Sequence, residues 1–152
     1  MKKTILTILL CGIMLLGMIG CGKSKNEFDI ENKSDIKISQ NDVIMTIKEG
    51  TLTNKSATLV LTNNSNKNFQ YGNPYEIEIK KDGEWYKINA ELDFTLPVFY
   101  LLAKESKEIE LDWENGYGKL AKGTYRIIKG IDYEYEEQKY DTFNVAVEFT
   151  IE

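Results

Sequence analysis

The sequence predicts an all-β protein, an antiparallel β-sandwich of seven or eight strands over residues 42–152. Three observations carry that prediction. From Asp42 onward apolar residues recur with period two. Short runs are separated by turn residues, most clearly Asp82-Gly83. No stretch carries the 3.6-residue period of an amphipathic helix, and no internal repeat is visible.

The runs follow in order. Val43, Met45 and Ile47 alternate with Ile44, Thr46 and Lys48, and Gly50 and Asn54 mark a turn. Ala57, Leu59 and Leu61 alternate with Thr58, Val60 and Thr62. A polar stretch, Asn63 to Pro74, carries Phe69 and Tyr71. Tyr75, Ile77 and Ile79 alternate with Glu76, Glu78 and Lys80, and Glu84 to Asn89 returns across Asp82-Gly83. Phe94 to Leu102 is apolar, but Pro97 cannot donate to a ladder, so this stretch is an edge strand or a crossover covering the core. Ile109, Leu111 and Trp113 alternate with acids, and Gly116, Gly118 and Gly123 bracket a loop. Tyr125 and Ile127 precede the clearest strand, in which Phe143, Val145, Val147, Phe149 and Ile151 face one way. Such alternation suits antiparallel sheets with one wet face.

Residues 1–20 read as a secretory signal: Lys2 and Lys3 precede an apolar run, Ile5 to Leu16, that is short for a permanent span. Met18-Ile19-Gly20-Cys21 resembles the lipobox of bacterial lipoproteins, with Met18 where Leu is usual. The resemblance implies cleavage before Cys21, a diacylglyceryl thioether on its sulfur, and attachment to the outer face of the cell membrane. Each buried methylene contributes about 0.8 kcal/mol, and two acyl chains suffice for stable anchoring. Residues 21–41 then read as the lipidated Cys and a polar, flexible tether; about 20 such residues have an r.m.s. span of about 25 Å.

Composition excludes several functions. The formal charge is −5, and loss of Lys2 and Lys3 takes it from −5 to −7. Arg126 is the only Arg among 19 basic residues, so phosphate recognition has little to work with and nucleic acid is not an expected partner. There is no His, and the only Cys beyond the leader is the one assigned to lipid, which excludes a catalytic triad or a zinc hydrolase. No cofactor is expected.

Leu120-Ala-Lys-Gly123-Thr-Tyr125 resembles the tyrosine corner of immunoglobulin-like sandwiches. More of the chain resembles a bacterial Ig-like domain family of secreted and lipid-anchored proteins. The similar segments are Met45 to Asn54, Ala57 to Asn64, Gly83 to Tyr86, Trp113 to Leu120, Gly123 to Arg126, Tyr140 to Thr142 and Ala146 to Ile151. The resemblance implies an Ig-like fold, an extracytoplasmic location and no catalytic residues.

Two candidate sites follow. Asp132 to Asp141 holds five carboxylates and three tyrosines; it reads as a solvated loop, with a calcium site as the alternative. In Ig strand order the loops 63–74, 90–105 and 131–141 share one end of the sandwich with the start of the first strand. Phe69, Tyr71, Phe99, Tyr100, Tyr133 and Tyr135 would form an aromatic recognition surface there, whereas a full strand over 94–101 would move the last loop to the other end. The expected function is a non-enzymatic, lipid-anchored binding module contacting a protein or the cell wall. The alternatives are an accessory subunit of another membrane protein and a small wall hydrolase, which needs two carboxylates converging in a pocket.

Overall fold

The computed structural model describes residues 30–39, 42–137 and 139–152, with the side chains of Glu31, Tyr135 and Glu136 outside that description. The expected leader, Cys21 and the first part of the expected tether lie outside the described residues.

Two antiparallel sheets face one another. The smaller has the order β2-β3-β8, built from β2 (Val43–Ile47), β3 (Ser56–Asn63) and β8 (Ser106–Asp112). Its central strand, β3, alternates without a break, burying Ala57, Leu59, Leu61 and Asn63. The larger sheet is organised on β9 (Gly123–Glu136), which β10 (Lys139–Ile151) pairs along its whole length. The other edge of β9 is shared: β5 (Glu76–Lys81) pairs with Tyr125 to Ile128, and β4 (Phe69–Tyr71) pairs at Asp132. Outside β5 lie β6 (Glu84–Ile88) and then β1 (Ile30–Lys33); outside β4 lies β7 (Phe99–Leu101). The turn between β5 and β6 has positive φ at both Asp82 and Gly83, as a tight hairpin requires. A single helical turn, α1 (Glu114–Tyr117), buries Tyr117.

The core fills the space between the sheets with the residues that alternation selects: Leu59, Leu61, Ile77, Tyr125, Ile127, Val145 and Phe149. Trp113 is fully buried against Phe149 and donates its indole N–H to Asn54 O at 3.1 Å. The tyrosine corner is present: Tyr125 donates its hydroxyl to Ala121 O at 2.8 Å, and burial pushes its phenol up to about 12.

Three features differ from the sequence expectation, and a fourth follows it. The described residues hold ten strands instead of seven or eight, because β1, β4 and β7 are too short to show a period. Asp132 to Asp141 is not a loop; apart from the turn near Glu137 it is the upper half of the β9–β10 hairpin, and Tyr133 and Glu134 follow its ladder. The apolar stretch ending at Leu102 follows the expectation: it yields β7, an edge strand, and the hairpin tip stays at the same end of the sandwich as Phe69.

The third difference concerns residues 30–39, which the sequence assigns to the tether. They lie on the larger sheet. β1 pairs β6, Ser34 N–H donates to Trp85 O at 2.8 Å, and the chain then crosses to the far edge. There Ile38 bridges Asn144, and Ser39 N–H donates to Asn144 O at 2.9 Å. This strap covers the outward face, where Glu78 is fully buried and Arg126 nearly so. Ser34, Ile36 and Ile38 are half-buried and alternate with exposed Asp35 and Lys37, a period too short and too polar to stand out in the sequence.

Candidate binding site

One end of the sandwich is held rigid by a buried asparagine. Asn63 Nδ2 donates to Lys67 O at 2.7 Å and to Leu102 O at 2.9 Å, so one side chain ties two loops. Its Oδ1 accepts from Ser65 N–H at 2.9 Å and Ser65 Oγ at 2.7 Å. Ser65 Oγ in turn accepts from Lys67 N–H at 3.0 Å. Asn64 N–H donates to Asp42 O at 2.8 Å, which fixes the entry to β2. Buried polar groups this fully paired give a loop one geometry.

That geometry builds a groove of about 590 Å³ between the 64–68 loop and the hairpin. Its wall is three rings: Phe69 meets Phe143 edge-on at 5.6 Å and Tyr133 at 5.8 Å. Lys67 Nζ stands 4.5 Å above the Tyr133 ring, a cation–π contact. Asp42 and Asp141 line the rim, both exposed.

A second groove, of about 570 Å³, opens beside β7. Tyr71 and Phe99 stack across it at 5.4 Å, with Tyr100, Lys107 and Ile109 along its sides. Burial raises the Tyr71 phenol above its ordinary value. Beneath it Lys129, 1% exposed, donates to Gly72 O at 2.7 Å and Pro74 O at 3.2 Å. These carbonyls are free because six residue steps, Gln70 to Glu76, face four on β9, Asp132 to Ile128. The lysine closes that bulge, and burial lowers its ammonium to about 8.

The structure therefore splits the expected aromatic surface. Phe69 and Tyr133 share the first groove; Tyr71 and Phe99 share the second. Phe69 and Tyr71 are buried, as walls instead of free platforms. Tyr100 is exposed, pairs with Gln70 and lines the rim of the second groove. The Tyr135 side chain lies outside the described residues. Among the described residues no group of three or more Asp, Glu, His or Cys is placed to hold a metal ion.

A family model described as Bacterial Ig-like domain matches residues 39–150. The chain belongs to the bacterial Ig-like domain family. No curated protein and no solved structure is significantly similar to it. Membership suggests a non-catalytic interaction module, since the family is typically without enzyme activity. The match opens at Ser39, where the strap meets β10, so β1 and most of the strap precede the matched domain.

Sequence reasoning missed several residues at this end of the Ig-like domain. Phe143 is one of the inward positions of β10, but nothing local says that it lines a groove. Lys67 and Asp42 lie in polar stretches that alternation leaves unread. The tyrosine–acid repeat over Tyr133 and Glu134 was the available signal that 131–136 is strand, because period two persists there.

Proposed function

We propose that this bacterial Ig-like domain is a lipid-anchored binding module on the outer face of the cell membrane, held by a diacylglyceryl group on Cys21. The observation that carries the binding role is the first groove. Three rings, an ammonium on Tyr133 and two rim carboxylates converge on a rigid loop pair, an apolar wall with a few placed polar groups. The lipobox resemblance of Met18 to Cys21 supports the anchor, and family membership supports interaction over catalysis. The partner is cell-wall material or a protein at the membrane surface.

The test is co-sedimentation of the mature protein with purified cell-wall sacculi, with and without calcium. Saturable pelleting supports a wall-contacting module. Absence of pelleting in both conditions contradicts it and directs crosslinking in intact membranes toward a protein partner. The anchor is tested separately, by the mass of the mature N-terminal residue.

A further inference from the structure

Among the described residues, exposed large apolar side chains concentrate in a run of seven residues. Among the described residues the exposed large hydrophobic side chains are Ile44, Tyr140 and five that fall within 96–102. Leu96 is 85% exposed, Val98 57%, Tyr100 63%, and Phe99 and Leu102 are also open. Contiguous apolar surface of this kind on a soluble domain marks a contact site.

Its position in the fold suggests what covers it. β10 occupies one edge of β9, so β4 with β7, and β5 with β6 and β1, all lie on the other side. β1 and β7 are both outermost there. Registers give the direction. Lys33 pairs Tyr86, which pairs Ile79, which pairs Tyr125. Ile30 pairs Ile88, on the level of Ile127. Moving from Lys33 to Ile30 therefore climbs toward Gln70–Asp132, the level of β7. The N-terminal end of β1 points along the edge that carries the apolar run. Nine residue steps separate Cys21 from Ile30, a reach of at most about 30 Å.

We propose that β7 and its flanks, 96–102, dock on the bilayer that holds the anchor, so that the domain lies edge-on against the membrane. This rests on lipid attachment at Cys21. The chemistry suits the interface: Leu96, Val98 and Leu102 enter the acyl boundary, while Tyr100 offers an apolar ring with a polar tip to the headgroups. The free backbone groups of β7 stay at headgroup level, where water remains, since hydrocarbon cannot satisfy them. A strand from another protein is a poorer fit. β7 is only three residues long and Pro97 removes a donor beside it, leaving little ladder to extend. With a mature charge of −7, −5 less two leader lysines, the attraction is hydrophobic and does not require anionic lipid.

The test uses the full acylated protein in phosphatidylcholine vesicles, nitroxide-labelled at Val98→Cys or, as reference, at Glu110→Cys on the outer face of β8. Docking predicts that the label at 98 collides with oxygen several-fold more, relative to a water-soluble nickel chelate, than the label at 110. Equal nickel accessibility at both sites, on protein that floats with the vesicles, overturns docking and leaves the anchor standing. Protection at 98 seen only in native membranes overturns it in favour of a protein partner. A mature N-terminus without the acyl mass overturns anchor and docking together. Leu96→Asp with Val98→Cys is expected to restore nickel access while the urea midpoint holds, separating docking from misfolding.

Discussion

Arg126 and Glu78 form a buried ion pair on the outward face of the larger sheet: Nε and Nη2 both donate to Glu78 Oε2, at 2.7 and 2.6 Å. The guanidinium also lies 4.6 Å from the Trp85 ring, and Nη2 reaches Ser34 Oγ at 3.4 Å. Among the described residues Glu78 Oε1 has no hydrogen-bond partner. Removing one member of such a pair strands the other charge away from water. Arg126→Ala is therefore expected to cost about 3–5 kcal/mol in urea denaturation. The double substitution Glu78→Leu with Arg126→Met is expected to recover most of that loss. Additive losses would show that the pair is not coupled.

The strap keeps this pair dry. A chain beginning at Ser39 lacks β1 and the residues that cover Arg126 and Glu78. Its denaturation midpoint is expected to fall, and Trp85 emission to shift to the red, while Trp113 on the core side keeps its environment. An unchanged midpoint and spectrum would show that residues 30–38 contribute nothing to the fold.

Lys129 makes stability depend on pH. Its ordinary value of 10.5 is lowered to about 8 by burial. Below pH 8 both states carry the proton, and the cost of the buried charge is fully present. Between 8 and 10.5 the folded state releases the proton before the unfolded chain does, so stability rises with pH. The carbonyls of Gly72 and Pro74 favour the charged form and oppose part of the desolvation. Tyr75, Tyr117 and Tyr125, each raised to about 12, act the other way above pH 10, where unfolded tyrosines ionise first. The clean window is pH 8–10. Urea midpoints there are expected to rise for the natural protein relative to Lys129→Met, which has nothing to titrate. Parallel curves would contradict the assignment.

Much of the frame is visible in local pattern. β3 and β10 alternate, Asp82-Gly83 makes its hairpin, and Leu120 to Tyr125 builds the corner, because each depends on residues close in sequence. What stays hidden depends on distant chain. Alternation turns Glu78 outward correctly, but only the strap from residues 34–38 makes that face dry. Lys129 falls on an inward position, yet its acceptors come from a bulge 55–57 residues away. Phe69 and Tyr133 meet because β4 continues the column begun by β5, a pairing that three residues cannot announce. Leu96 and Val98 are apolar enough to read as core, and only the edge position of β7 leaves them outside.

The claim that this Ig-like domain binds through its aromatic end is tested most directly by pelleting with cell-wall sacculi, comparing the natural protein with Tyr133→Ala and Lys67→Ala. Tyr133 is half-buried and Lys67 exposed, so both variants are expected to stay folded. Saturable pelleting is expected for the natural protein and at least a tenfold weaker association for Tyr133→Ala, which loses both the groove wall and the seat of the lysine. Saturable pelleting of the natural protein that neither substitution weakens would contradict that claim.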